Sequence, residues 1–209
     1  LSNEHAARLG RTISHLGMVP LVRIPELSRT HVQVLLDSGI EILALPDVRN
    51  VSEAAEFVQL GKYPPLGQRG VSSTTVNLDY SLTDPANAFR TSNVATRLLA
   101  MIESDQGFEA LDAILDINGI DMITVGPADW AAQSGLYDDA SKKQLAPKIE
   151  HVFRTAAAAG KITVHNVSDA SDVHRCRDLG IRIMIVGVDV SLHRKVLAET
   201  LGKLKEGPG

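Results

Sequence analysis

The chain has 209 residues, of which 44% are hydrophobic and 22% charged, and its formal net charge is -4. These values are typical of a soluble globular domain with a sizeable core, and the lack of a basic block argues against nucleic acid as a partner. No apolar run reaches the length of a membrane span and no signal peptide is recognisable, so we expect a cytoplasmic protein whose single Cys176 stays reduced.

Short apolar, β-branched runs alternate with amphipathic segments along the whole chain. Because strands of a buried parallel sheet are nearly continuous in apolar residues, this alternation predicts an α/β fold. No GxGxxG or Walker motif accompanies it, which disfavours a nucleotide-binding sheet. The predicted strands cover 18–24, 41–46, 97–103, 122–126, 161–165 and 182–187. The predicted helices cover 30–39, 52–61, 107–119, 142–160, 169–180 and 192–205.

Six strands are too few for a closed parallel barrel, which has eight. The chain opens on a helical segment with no strand before it, and we therefore predict a TIM (β/α)8 barrel whose first two strands would precede Leu1. On this interpretation residues 1–209 form a single barrel domain that is incomplete at its amino terminus. An open, doubly wound sheet remains the alternative at this point.

The connection over 63–93 is unusually long for a compact domain. It begins with the turn-rich "YPPLGQRG" and shows little sign of regular structure. Loops of this length are usually functional, so we expect a long loop at the active rim of the barrel or at a subunit interface.

Polar residues stand where several of the predicted strands end. Arg23 and Glu103 end their strands, and Asp129 lies in "GPAD" directly after another, while His5 would follow a strand that is absent. Catalytic groups of parallel barrels occupy this rim, and Glu103 and Asp129 come from consecutive strands. Two neighbouring carboxylates suit either an acid/base pair or a site for Mg²⁺ or Mn²⁺.

Arginine and histidine near such a pair indicate a 2-oxo acid substrate. The Arg23 guanidinium can bind a carboxylate with two hydrogen bonds, and His5 is the natural base for the C3 proton. Each residue also has a structural interpretation: Asp129 as a helix cap, Arg23 as an ion-pair donor and His5 as a surface residue. His165 ends the strand over 161–165 and is a secondary candidate, whereas Lys161 begins that strand, which disfavours a Schiff-base mechanism.

Several motifs together resemble one known family. They are "PLVR" (20–23), "YPPLGQRGV" (63–71), "IES" (102–104), "GIDMITVGPADWAAQSG" (119–135) and "VGVD" (186–189). They are similar, essentially end to end, to the class II metal-dependent 2-oxo acid aldolases of the HpcH/HpaI type. The resemblance implies a TIM barrel in a homo-oligomer, hexameric or trimeric, in which the last helix is exchanged between subunits.

The resemblance also assigns roles to individual residues. Glu103 and Asp129 would be the metal ligands, Arg23 the partner of the pyruvyl carboxylate and enolate, and His5 the base. Backbone groups around the "GPA" turn would hold the substrate carboxylate, which adds Gly126, Pro127 and Ala128 to the site.

Several positions depart from the family pattern, among them the "VHNVSD" stretch (164–169) where the family usually has small and apolar residues. Ser2 stands where the family often has an aspartate that orients the histidine, Met101 where glutamine is common, and Asp47 where methionine is common. The metal pair and Arg23 are retained.

The sequence thus predicts a lyase that cleaves or forms a 4-hydroxy-2-oxo acid through a pyruvate enolate, with a 2-oxo acid and an aldehyde as its partners. The alternatives are an oxaloacetate decarboxylase, a macrophomate-synthase-like enzyme, or a non-catalytic barrel that binds a carboxylate.

Overall fold

The computed structural model describes residues 2–80, 83–167 and 170–206, and within them six strands alternate with helices. All six predicted strands are confirmed, with bounds that differ by at most a few residues. The strands are β1 (Leu21–Arg23), β2 (Ile42–Leu45), β3 (Arg97–Ile102), β4 (Met122–Val125), β5 (Ile162–Val167) and β6 (Ile183–Val186). The helices are α1 (Asn3–His15), α2 (Arg29–Asp37), α3 (Val51–Gly61), α4 (Pro85–Ala95), α5 (Asp105–Glu109), α6 (Leu111–Leu115), α7 (Pro127–Gln133), α8 (Asp139–Lys142), α9 (Ala146–Ala158), α10 (Ala170–Asp178) and α11 (Asp189–Glu206).

The strands form one parallel sheet in which their spatial order equals their order in the chain. The register pairs Leu21 with Ile42 and Ile42 with Arg97, and further along it pairs Leu99 with Met122. A doubly wound sheet reverses its strand order at a switch point, and none occurs between β1 and β6. The sheet curls into a half-barrel of the TIM type, which confirms the predicted fold class.

The two faces of the sheet carry different sets of side chains. The outer face packs against the helices and forms the main core, which includes Leu43, Leu98 and Ile123. The inner face carries a smaller cluster around Leu99 and Met122. Side chains alternate between the two faces along a strand. The residue directly after β3 therefore points to the inner face, as Leu99 does.

Small polar side chains begin the helices that follow the strands. Ser28 accepts a hydrogen bond from the backbone of α2 at 3.2 Å, and Asn50 does the same for α3 at 3.0 Å. Ser104 caps α5 with a bond from Gly107 N at 3.2 Å. These caps end the strand-to-helix turns within a few residues, so the residues between strand and helix are held at one rim.

The connection over 63–93 is more regular than its sequence indicates, although residues 81–82 lie outside the described part. It contains a 3₁₀ turn (Val76–Leu78) and most of α4. Tyr63 N donates to Asn93 Oδ1 at 2.7 Å, and the neighbouring Lys62 donates to Thr96 O at 2.5 Å, directly before β3 begins. The two ends of the connection therefore lie next to the amino-terminal end of β3. The placement of the whole connection at the active rim or at a subunit interface stays a prediction.

Among the helices of the described residues, none has the combination of length and hydropathy that a membrane span needs.

Candidate active site

The carboxylates of Glu103 and Asp129 meet at the carboxyl-terminal rim of the half-barrel. Glu103 directly follows β3 and its side chain is buried, with 2% of the residue exposed. Asp129 lies in the first turn of α7, which follows β4, and is exposed. The parallel pairing of β3 with β4 brings the ends of both strands to the same height. The predicted proximity of these two residues is therefore found in the structure.

The pair shifts the titration of Glu103. Burial, together with the hydrogen bond and like charge of the Asp129 carboxyl, raises the pKa of Glu103 to about 7. The backbone of Asp47 and the charge of Arg23 act in the opposite direction. The raised pKa shows that the ionised form of Glu103 is disfavoured in this environment. A bound cation would favour the ionised form and lower the pKa again.

Gly126 lies directly against the Glu103 carboxylate. A Cβ atom at this position would stand 2.7 Å from Cδ and 2.8 Å from Cγ of Glu103, closer than real carbon atoms approach. Gly126 N also donates to Ile102 O at 3.2 Å, which continues the pairing of the two strands by one residue. The sequence indicated a turn whose backbone groups would hold the substrate, whereas the structure shows that the Glu103 carboxylate occupies the space of a missing side chain.

Asp47 is a site residue that the sequence did not single out as functional. It follows β2 as Glu103 follows β3, and its N–H donates to Glu103 Oε1 at 3.3 Å. Its backbone is left-handed, with φ of 48°, and its Oδ2 accepts from Arg49 Nε at 2.9 Å and from Arg49 Nη2 at 2.6 Å. Asp47 Oδ1 is buried without a partner among the described residues. The departure from the family pattern at this position was the signal that could have identified it.

Arg23 ends β1 at the same rim and is exposed. It alternates with Val22 and Ile24, which belong to the outer core, so its side chain belongs to the inner face. Arg23 has no ion pair with another described residue, which disfavours the interpretation as a structural ion-pair donor. Its charge still lowers the pKa of Glu103, so the guanidinium is within electrostatic reach of the carboxylate pair.

His5 lies in the first turn of α1 and is exposed. Ser2 Oγ lies 3.2 Å from His5 Nδ1 and accepts from His5 N at 3.3 Å. The serine thus caps the helix and contacts the imidazole, two tasks that suit the aspartate expected at that position. Within the described part of the chain, no hydrogen bond joins His5 to Arg23, Glu103 or Asp129.

The "GPA" turn provides fewer backbone donors than the resemblance implies. The amide of Gly126 is used by Ile102 O, and Pro127 has no N–H. Ala128 is exposed in the first turn of α7, and its N–H has no bond to another described residue. As a donor to a substrate carboxylate, only Ala128 fits among these three residues.

Neither His165 of β5 nor Lys161 directly before it joins the carboxylate pair. His165 faces the helices, where its ring packs on Phe153 with centroids 5.0 Å apart, and burial lowers its pKa. The interpretation of His165 as a rim residue is therefore wrong, because alternation along β5 turns it outwards. Lys161 precedes the strand and donates to Ile117 O at 3.3 Å and Ile120 O at 2.9 Å, which agrees with its exclusion as a catalytic lysine.

The described residues contain no cluster of three or more acidic, histidine or cysteine side chains that could enclose a metal ion. The two carboxylates nevertheless fit a hard divalent cation, because Mg²⁺ commonly binds through one or two carboxylates and takes its other ligands from water and substrate. The oxygen donors, the raised pKa of Glu103 and the space at Gly126 agree with such an ion.

Comparison with known proteins relates this chain to enzymes. A family model described as HpcH/HpaI aldolase/citrate lyase matches residues 4–195. A hydroxypyruvate/pyruvate aldolase from Roseovarius nubinhibens is 31% identical over 97% of this chain and 81% of its own length. A 2-keto-3-deoxy-L-rhamnonate aldolase from Salmonella gallinarum is 33% identical over 98% of this chain and 79% of its own.

Solved structures show the same fold. The crystal structure of an HpcH/HpaI aldolase from Desulfitobacterium hafniense superposes with a TM-score of 0.91 at 30% identity, covering 100% of this chain and 81% of that one. A citrate lyase beta subunit from M. tuberculosis, complexed with oxaloacetate and magnesium, gives a TM-score of 0.51 at 14% identity over 79% of this chain and 66% of its own. The likeness to the citrate lyase subunit extends to the fold alone.

Proposed function

This chain belongs to the HpcH/HpaI aldolase/citrate lyase family, and from that premise we propose that it is a divalent-metal-dependent lyase that cleaves or forms a 4-hydroxy-2-oxo acid. The observation that carries the proposal is the Glu103–Asp129 carboxylate pair, with Arg23 in electrostatic reach. The two relatives named above differ in substrate, but both names describe 2-oxo acids. We propose the same chemical group for this chain.

Glu103 and Asp129 would hold Mg²⁺ or Mn²⁺ in this proposal. Burial of Glu103 beside a second carboxyl raises its pKa to about 7, and a cation would reverse that effect. The backbone N–H of Asp47 orients Glu103 Oε1, and Gly126 leaves room for the carboxylate. When bound, such an ion supplies Lewis-acid stabilisation of the negative charge that develops on a 2-oxo acid.

Arg23 would bind the carboxylate of the substrate. Its exposed guanidinium lies at the end of β1 without an internal ion-pair partner in the described residues, so its donors are available for a ligand. A bidentate hydrogen bond from arginine fixes both the position and the orientation of a carboxylate. The amide of Ala128 would add one further donor at the same rim.

His5 would be the base. If Nδ1–H donates to Ser2 Oγ, the lone pair of Nε2 faces away from the helix cap and can accept a proton. In cleavage, His5 takes the proton of the C4 hydroxyl, the C3–C4 bond breaks to release the aldehyde, and the protonated His5 returns a proton to C3 of the pyruvate enolate. The contact between Ser2 and His5 weakens the case for a non-catalytic barrel, because that case depended partly on Ser2.

Deuterium exchange tests the enolate step directly. Pyruvate in D₂O is followed by NMR with Mn²⁺, with Mg²⁺ and with EDTA, using the wild-type chain, Glu103→Ala and the control Glu109→Ala, whose carboxylate is exposed on α5. We expect metal-dependent exchange at the methyl group that Glu103→Ala loses and Glu109→Ala keeps. Metal binding without exchange, and without cleavage of any 4-hydroxy-2-oxo acid tested, would contradict the proposal.

The partners would include further copies of the same chain. Helix α11 exposes a series of large apolar side chains, each 50% exposed or more: Val190, Leu192, Val196, Leu197, Leu201 and Leu204. Exposed apolar surface of this extent usually marks an interaction site. We propose that α11 packs against another subunit of a homo-oligomer, and light scattering of the wild type and Leu197→Lys measures the assembly. A monomeric wild type would contradict this.

A further inference from the structure

A hydrogen bond joins the two segments that carry the carboxylate pair. The indole Nε1 of Trp130 donates to Oδ1 of Asp105 at 3.0 Å. Asp105 follows Glu103 by two residues, and Trp130 directly follows Asp129. The bond therefore connects two different strand-to-helix turns within two residues of each proposed metal ligand.

Both ends of this bond are anchored. The Trp130 side chain is fully buried and packs on the ring of Phe108, with centroids 5.7 Å apart. Its backbone N–H donates to Gly126 O at 3.0 Å, which holds the first turn of α7. Asp105 Oδ1 also accepts from Lys148 Nζ of α9 at 2.6 Å. The Trp130 side chain is buried in the core, and Asp105, although exposed, begins α5 directly after the Ser104 cap. The bond can therefore transmit position from one turn to the other.

The hydrogen-bond ladder of the sheet ends before it reaches these two turns. The ladder between β3 and β4 ends with the pair Ile102 and Val125, and one further bond runs from Gly126 N to Ile102 O at 3.2 Å. Beyond that bond stand two carboxylates of like charge, Glu103 and Asp129, which repel each other when both are ionised. A direct link between the turns would limit how far that repulsion separates them.

We propose that the Asp105–Trp130 hydrogen bond sets the spacing between Glu103 and Asp129 for the divalent ion. The inference rests on the proposed function, in which these carboxylates are the metal ligands. Asp105 and Trp130 are positioning residues, since neither touches the substrate. Tryptophan suits the task because its apolar body fills the core while its N–H reaches a polar partner.

The affinity for Mn²⁺, measured by titration calorimetry, tests the inference. Asp105→Ala and Trp130→Phe each remove the bond, and we expect each to weaken Mn²⁺ binding by about 10- to 100-fold, as for other contacts that orient metal ligands. The double variant should bind Mn²⁺ no more weakly than the single variant with the lower affinity, since both changes remove the same bond. At saturating Mn²⁺ the kcat should return close to the wild-type value.

Two control variants separate this bond from its neighbours. Asp105→Asn keeps an oxygen acceptor for the indole and should bind Mn²⁺ like the wild type. Lys148→Met removes the ion pair with Asp105 but leaves the Trp130 bond, and it should also bind like the wild type. Trp130 is the chain's single tryptophan, so a change in its fluorescence emission reports whether Asp105→Ala broke the bond in metal-free protein.

The outcomes distinguish this inference from the proposed function. If the wild type binds no Mn²⁺, or binds it equally well after Glu103→Ala, both proposals fall. If binding depends on Glu103 but Asp105→Ala has wild-type affinity, the positioning inference alone is overturned. It is also overturned if Lys148→Met is as weak as Asp105→Ala, because the ion pair would then account for the effect.

Discussion

Replacing Glu103 with glutamine should stabilise the metal-free protein at neutral pH and leave its stability unchanged in acid. The side chain is buried beside Asp129, and its pKa rises from the ordinary 4.5 to about 7 on folding. Below about pH 4.5 the carboxyl is protonated in both the folded and the unfolded chain, so its ionisation does not change the free energy of unfolding. As the pH rises, the unfolded chain ionises first, and the folded state is progressively destabilised until Glu103 itself has ionised above about pH 7.

The difference between the two pKa values corresponds to about 3 kcal/mol of stability lost by the wild type above pH 7. Glutamine keeps the shape and cannot ionise, so Glu103→Gln should avoid this loss. Urea unfolding in EDTA at several pH values between 4.5 and 8 measures the difference between variant and wild type. Glu109→Gln, which removes an exposed carboxylate of α5, is the control for a general change in charge.

The reasoning would be refuted if the stability difference between Glu103→Gln and wild type stayed constant across that pH range. Addition of Mg²⁺ provides a second check. A cation that binds the folded state stabilises it in proportion to its affinity, so Mg²⁺ should restore stability to the wild type and have little effect on Glu103→Gln.

Three further substitutions test other parts of the structure. Gly126→Ala places a methyl group on the Glu103 carboxylate and should weaken Mn²⁺ binding about 10- to 100-fold in calorimetry, so an unchanged affinity would contradict the close approach of the two residues. Arg23→Lys replaces a planar fork by a point charge and should raise KM for the 2-oxo acid about tenfold while Mn²⁺ affinity stays constant, and a changed metal affinity with unchanged KM would reverse the assignment. Lys62→Met leaves the Asp121 carboxylate without its buried partner, 2.9 Å away, and should cost about 3 kcal/mol in urea unfolding, whereas a loss below about 1 kcal/mol would show that the pair is not needed.

Much of the fold follows from local pattern. Continuous apolar runs such as the one that becomes β3 indicated buried parallel strands, and all six are present. The order of strands could not be read in this way, because a doubly wound sheet and a barrel use the same local alternation of strand and helix. The 63–93 connection was expected to have little regular structure, but it contains most of α4. Asp84 and Pro85 form the N-terminal cap of this helix, and the same residue types also occur in turns, so the sequence pattern did not indicate a helix here.

The sequence by itself determined which residues stand at or just after strand ends, and on that basis it indicated Glu103, Asp129 and Arg23. Position along the chain is enough for this, since every parallel strand of a barrel delivers its last residues to one rim. The tertiary structure decided what those residues do to one another. Burial of Glu103 beside the Asp129 carboxyl raises its pKa to about 7, a consequence of distance and solvent exclusion that no spacing encodes.

The tertiary structure likewise decided which contacts support the pair. Asp47 reaches Glu103 from another strand through a left-handed backbone, and Trp130 reaches Asp105 across two turns. Alternation along β5 turned His165 towards the helices, although it stands near the end of a strand. These outcomes depend on the direction of single side chains and on residues far apart in sequence. Only the packed half-barrel brings them to defined distances.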